Sequence, residues 1–150
     1  MTSLRNTSLV AILALACAAP AMAQFKNAKH AVEYRQAAFT VMGKHFASLG
    51  AMVSGKAPFD AAKAKADAQV VAMVSTLPWS GFGPETEDVK SDAKMEVWLE
   101  KTTFEQGAQR LTKAAADLAT AADSGNLDQI KLAFGATAKS CKACHDSYRN

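Results

Sequence analysis

The chain has 150 residues, 49% of them hydrophobic and 21% charged, with 17 basic and 14 acidic side chains and a net charge of +3 at pH 7. A chain of this length suits one domain with a modest core. The small charge and the lack of a basic cluster argue against nucleic acid or a membrane surface as a partner.

The first 23 residues have the pattern of a secretory signal peptide. A polar start with one positive charge, Arg5, precedes an apolar run over 9–19, and small residues follow at the positions that a signal peptidase reads. The run is too short for a membrane span, which needs about 20 apolar residues. We therefore expect cleavage after Ala23, one mature domain over residues 24–150, and export to the periplasm.

Two helices are predicted in the first half of the mature domain. Over 27–52, apolar residues recur at spacings of three and four, which places them on one helix face. Gly55 and Pro58 then break the pattern, and Asp60 is suited to cap a second, alanine-rich helix over about 61–77.

The second half is predicted to form a loop and two more helices. Prolines and glycines make residues 78–87 a surface loop, in which Trp79 and Phe82 supply apolar mass to bury. Helical spacing returns over about 92–122 and again over 127–148. Four amphipathic helices with short connections predict an all-α, up-down-up-down four-helix bundle.

The chemistry lies near the end of the last predicted helix, in the run CKACH at 141–145. C-x-x-C-H is typical of covalent haem c attachment. Residues three apart on a helix lie about 5 to 6 Å apart at Cβ. Cys141 and Cys144 can therefore form thioethers with one haem, while His145 binds its iron.

Two other uses of these cysteines are disfavoured. A disulfide-exchange motif usually opens a helix in a β-α-β unit, whereas this one lies in the middle of an all-helical stripe near the chain end. A zinc site would need four ligands, and the mature chain offers only His30 and His45 besides the motif. The sequence therefore predicts one covalent haem c per chain.

Motifs spread over the whole mature domain resemble those of the cytochromes c′, a family of bacterial periplasmic haem proteins. They are Tyr34-Arg35-Gln36, Pro58-Phe59-Asp60, Leu77-Pro78-Trp79 with Phe82-Gly83-Pro84, and Ser140 to Arg149 around CKACH. The resemblance implies a haem c four-helix bundle, commonly a homodimer, with the haem near one end and a vacant sixth position on the iron.

The distal side of the iron is the open question. Only five residues follow His145 in this sequence, so we expect any second ligand to come from another helix. Aligned to the family, Phe39 occupies the position of the first helix that faces the iron, and a phenyl ring cannot ligate it. Met42, three residues on, leaves open a six-coordinate alternative, and His45 is a weaker candidate.

The resemblance also assigns contacts at the edge of the haem. Arg35 and Gln36 match family positions that contact the propionates, which suits the pairing of guanidinium with carboxylate. Thr86 and Glu87 match a stretch that lies along the haem edge.

Three further residues are expected near the ring. Trp79 and Phe82 are expected to pack against the porphyrin, although a plain core role would give the same sequence. Arg149, one turn after His145, matches an arginine near the histidine side of the iron, or is a solvated charge at the helix end.

These expectations predict a periplasmic cytochrome with five-coordinate, high-spin haem that binds nitric oxide and carbon monoxide. Electron transfer with redox partner proteins is a second use of the same haem, and Met42 as distal ligand would favour it. The sequence shows no arrangement of acid, base and nucleophile side chains that would indicate an enzyme. A peroxidase in particular would need a distal base and a polar residue, which the helix face around Phe39 does not offer.

Overall fold

A computed structural model describes residues 24–150, so the predicted signal peptide over 1–23 lies outside the described residues. The helices are α1 (Ala28–Val53), α2 (Ala61–Val74), α3 (Glu96–Leu99), α4 (Lys101–Asp123) and α5 (Leu127–Tyr148). α1 packs on α2, α2 on α4, and α4 on α5. The four long helices thus confirm the predicted up-down-up-down bundle, and α3 is a single turn ahead of α4.

Polar caps and glycines set the ends of these helices. The side chains of Asn27, Asp60 and Asn126 accept backbone N–H groups of the first turns of α1, α2 and α5. Gly55 and Gly125 follow the preceding helices with φ of +74° and +66°, a left-handed conformation that favours glycine. The chain can therefore reverse direction within a few residues.

The core follows the predicted apolar stripes. Leu49, Leu118 and Ile130 are fully buried, and alanines between them let the helices approach closely. These alanines are Ala64, Ala68, Ala115 and Ala122. Within residues 24–150, none of the helices has the length and apolar character that a membrane crossing requires.

The prediction of one continuous third helix over 92–122 is wrong. Residues 92–94 instead lie against the end of the chain, where Lys94 N–H donates to the Tyr148 carbonyl at 3.0 Å and Asn150 N–H donates to the Asp92 carbonyl at 2.9 Å. Glu100, with φ −110° and ψ 37°, then separates α3 from α4. Pairing with a distant segment overrides the local helical spacing here.

The second helix also ends earlier than predicted, at Val74. The Ser75 hydroxyl donates to the Ala72 carbonyl at 2.7 Å. The Ser75 carbonyl accepts the indole N–H of Trp79 at 2.6 Å in place of a helical N–H. Two 3₁₀ turns, Pro78–Gly81 and Pro84–Thr86, then shape the predicted loop.

Candidate haem site

A cavity of about 690 Å³ opens at one end of the bundle. Its walls come from all five helices, from the loop after α2 and from the segment before α3. Aromatic and aliphatic side chains make up most of the wall, and a few polar groups face inward. The lining residues include Arg35, Gln36, Phe39, Met42, Trp79, Phe82, Asp92, Cys141, Cys144, His145 and Arg149.

The three residues of the haem motif all line this cavity. Cys141 and Cys144 are half-buried free thiols one helical turn apart on α5. Burial raises the pKa of both thiols; the proximity of Cys141 raises that of Cys144 further, and Arg110 opposes this. Burial also lowers the pKa of His145, with a further lowering from Arg149 that Asp146 opposes. His145 is thus biased toward the neutral imidazole that binds metals.

Arg35 presents a buried positive charge at the cavity wall. Only 2% of the residue is exposed, and its guanidinium donates to the Gly81 carbonyl at 2.7 Å, to Thr86 Oγ1 at 3.1 Å and to Ser91 Oγ at 3.0 Å. It also lies over the Phe82 ring at 4.2 Å from the centroid. All of these partners are neutral, and burial lowers the pKa of Arg35 to about 10.

A buried cation without an acidic partner calls for an anion, and haem carries two propionates. No carboxylate within residues 24–150 forms an ion pair with Arg35. Gln36, the next residue, also lines the cavity. The thiols, the imidazole, the apolar walls and this cation therefore fit a covalently attached haem.

An aromatic cluster forms part of the cavity wall. Phe39 contacts Trp79 and Phe82 edge-on, with ring centroids 5.7 and 6.3 Å apart. Phe104 lies against Phe82 at 4.9 Å. Edge-to-face packing of this kind fixes ring orientations. The ring of Phe39 is thus held by neighbours while it faces the cavity.

The two other candidate ligands from α1 lie in different surroundings. Met42 lines the cavity, but the residue is only 7% exposed and packs within the main core. His45 is not among the cavity residues, because its Nδ1 pairs with Asp67 Oδ1 at 2.8 Å on the α2 side. Met42 therefore lies at the cavity wall, whereas His45 does not.

Thr86 and Glu87, which the sequence predicts at the haem edge, are not among the residues that line the cavity. Thr86 is fully buried next to Arg35. Its hydroxyl accepts a hydrogen bond from the Arg35 guanidinium and donates one to the Gly83 carbonyl at 2.7 Å. Glu87 is exposed and is not among the residues lining the cavity. Thr86 thus contributes by orienting Arg35.

Sequence reasoning missed several residues of this wall. Ser91 and Asp92 line the cavity, although the spacing predicted that helix three begins at about Asp92. Tyr148 also lines it, and its hydroxyl donates to Glu100 Oε2 at 3.1 Å. A pairing between the tail and residues 92–94 leaves no periodic signal in the sequence, so only the fold brings these residues together.

The bundle and this cavity define a class of protein, the haem-binding four-helix bundles of the c type. A family model described as Cytochrome C' matches residues 30–149. The chain therefore belongs to the cytochrome c′ family, as its motifs predicted.

Individual relatives cover nearly the whole described domain. The chain is 45% identical over 126 residues to a cytochrome c′ of Alcaligenes xylosoxydans xylosoxydans, and the aligned region covers 84% of this chain and 98% of that protein. The crystal structure of cytochrome c′ from Rubrivivax gelatinosus matches with a TM-score of 0.82 and 40% identity, over 85% of this chain and 100% of that one. A nitric oxide complex of a mutant cytochrome c′ from Alcaligenes xylosoxidans matches with a TM-score of 0.79 and 44% identity, over 85% and 98%.

Proposed function

We propose that this protein is a periplasmic cytochrome c′ that binds nitric oxide and carbon monoxide at a five-coordinate haem c. Cys141 and Cys144 hold one haem through thioethers, and His145 is the protein's only iron ligand. When bound, the haem supplies an iron whose free position can take a small diatomic ligand. Support for a gas ligand comes from the relative whose structure is a nitric oxide complex.

The observation that carries the proposal is the position of Phe39. It lines the same cavity as His145 but stands on α1, and Trp79 and Phe82 hold its ring. A phenyl ring offers neither a lone pair for iron nor a hydrogen bond for a bound gas. It therefore favours ligands that need no donor, and disfavours dioxygen.

Arg35 and Gln36 would orient the haem through its propionates. The Arg35 guanidinium is held in place by hydrogen bonds to Gly81, Thr86 and Ser91. A preorganised cation loses little conformational freedom when it pairs with a carboxylate. Trp79 and Phe82 would pack against the ring, and Arg149 would stand near the iron's histidine side.

Electron transfer by six-coordinate haem is the second candidate, and the cavity position of Met42 favours it. Met42 would have to leave its packing in the core, where only 7% of it is exposed, before its sulfur could reach an iron. Deep packing of this kind supports a role as core filler over a role as ligand.

A periplasmic location and a homodimer complete the proposal. The signal peptide pattern over 1–23 supports the location. Val41 on α1 and Met73 on α2 are large apolar residues exposed by 44% and 70%. A homodimer that covered these side chains would remove their apolar surface from water, and sedimentation of the wild type and of Met73→Glu would test it.

Carbon monoxide binding to the reduced protein tests the role of Phe39. If the ring must move aside, Phe39→Ala should speed association about tenfold, since a barrier lower by about 1.4 kcal/mol corresponds to one order of magnitude. Met42→Leu is the matched control, because it removes the thioether from the same cavity at nearly constant volume. If Met42→Leu converts an unreactive protein into one that binds carbon monoxide, the six-coordinate alternative is correct.

A further inference from the structure

A short segment, residues 91–94, ties down the C-terminal end of the chain; we call it the strap. Ala93 and Arg149 face each other in an isolated antiparallel bridge. Two backbone hydrogen bonds flank that bridge, from Lys94 N–H to Tyr148 and from Asn150 N–H to Asp92. The tail residues 148–150 therefore have fixed main-chain partners immediately after the helix that carries the haem motif.

An ion pair adds a side-chain contact to this pairing. Arg149 Nη2 donates to Asp92 Oδ2 at 3.2 Å, and both residues line the haem cavity. Arg149 N–H in turn donates to the His145 carbonyl at 3.2 Å. The residue that contacts the strap, Arg149, thus lies one helical turn after His145, the proposed iron ligand.

The other end of the strap is anchored to α1. Ser91 Oγ accepts Arg35 Nη2 at 3.0 Å and the backbone N–H of Ala93 at 3.3 Å. Because Arg35 is almost fully buried, this end has little freedom to move. The strap therefore links a rigid point on α1 to the tail that follows His145 on α5.

The charges around His145 show which acid holds Arg149. Asp146, the nearest acid in sequence, pairs with Lys142 at 2.6 Å, and its carbonyl accepts Lys94 Nζ at 3.1 Å. Asp92 is the acid that pairs with Arg149 among the described residues. An exposed ion pair alone contributes little, but the backbone pairing here has already brought the two side chains together.

We propose that Asp92 is a positioning residue, which holds Arg149 and the tail and thereby restricts the movement of His145 beneath the haem. The inference rests on the proposed haem ligation by His145. Without the Asp92 carboxylate, Arg149 is free to leave the strap, the tail opens more often, and the imidazole samples more orientations.

The test uses the intact holoprotein with Asp92→Asn and, as control, Asp88→Asn. Asp88 is an exposed acid a few residues before the strap and forms no ion pair among residues 24–150. The control therefore removes the same charge and leaves the contacts of the strap unchanged. Hydrogen exchange at residues 148–150 should accelerate about two- to fivefold in Asp92→Asn, the range expected for one exposed pair. The iron–histidine stretching band in resonance Raman spectra of the ferrous protein should broaden or shift.

A double-mutant cycle with Arg149→Gln shows whether Asp92 acts through Arg149. The effects on tail exchange and on the iron–histidine band should be non-additive, because either single variant already breaks the pair. Equal changes in Asp92→Asn and Asp88→Asn, or additive effects in the cycle, would overturn the proposal. So would faster tail exchange with an unchanged iron–histidine band, since that is a structural role alone.

The two proposals fail in different ways. If the ferrous wild type shows no iron–histidine band and does not bind carbon monoxide, the proposed five-coordinate function is wrong. Exchange at residues 148–150 and its non-additivity in the cycle would still decide whether Asp92 holds the tail through Arg149.

Discussion

The two ends of the bundle use the same four helices in opposite ways. At the closed end, Leu49, Leu118 and Ile130 are fully buried, and alanines fill the space between helices. At the open end, aromatic rings stand around a cavity of about 690 Å³, with Arg35 and the CKACH motif on its walls. One end is thus filled by aliphatic side chains and alanines, whereas aromatic side chains surround a cavity at the other.

This difference separates stability from function along the length of the bundle. Close packing of small and aliphatic residues supplies the free energy that offsets chain entropy. A wall of mutually packed aromatics, by contrast, holds its shape without filling the space that it surrounds. Substitutions at the two ends should therefore separate folding from haem binding.

The largest effect is expected from changing both cysteines at the open end. Cys141→Ser with Cys144→Ser removes both sulfur atoms, so covalent haem should be lost completely. The closed end does not depend on those atoms, and the bundle should stay helical. Mass spectrometry of the denatured protein measures attachment, and circular dichroism measures helix content. A haem mass that persists on the double variant would contradict the attachment site.

The converse effect is expected at the closed end. Leu118 is 0% exposed, and Leu118→Ala should lower the free energy of unfolding by about 3 to 5 kcal/mol through lost burial and a residual cavity. Denaturant unfolding measures the loss. The absorption spectrum of the folded variant should match the wild type, because the cavity wall is untouched; an altered spectrum would show that the two ends are not independent.

A smaller effect is expected at Asp67, a buried acid of α2 outside the cavity. Burial raises the pKa of this carboxyl, but hydrogen bonds with Ser48, His45 and Lys63, together with the charge of Lys63, outweigh that and lower it below the ordinary 3.8. The ionised form therefore stabilises the fold above pH 3.8, and this contribution is lost as the pH falls through the lowered pKa.

Asp67→Asn should accordingly cost about 1 to 3 kcal/mol at neutral pH, the value of hydrogen bonds to a charged group. The difference from the wild type should shrink as the pH falls below about 4. Unfolding curves at several pH values measure it, with Asp117→Asn as the control for an exposed i,i+4 pair. A penalty that stays constant down to pH 2 would contradict the linkage.

Much of this molecule could be predicted from local sequence. The stripes of α1 and α5 and the cap at Asp60 depend on residues within a few positions of one another. Cys141, Cys144 and His145 form a short motif, and helix spacing alone predicts that they face the same side of α5.

The predictions failed where distant segments decide the structure. The break at Glu100 follows from pairing between residues 92–94 and the tail, more than 50 positions along the chain. The hydrogen bonds that hold Arg35, to Gly81, Thr86 and Ser91, span 46 to 56 positions and were not predicted. Contacts of that range leave no periodic pattern in the sequence.

The most direct test of the function proposed for the open end is to measure the coordination of the haem iron in the reduced wild-type protein. Absorption and resonance Raman spectra, before and after addition of carbon monoxide, measure the spin state, the iron–histidine bond and access to the distal side. A five-coordinate, high-spin iron with a histidine band, which carbon monoxide converts to a low-spin adduct, is the predicted result. A sharp low-spin ferrous spectrum that carbon monoxide does not change would contradict the account.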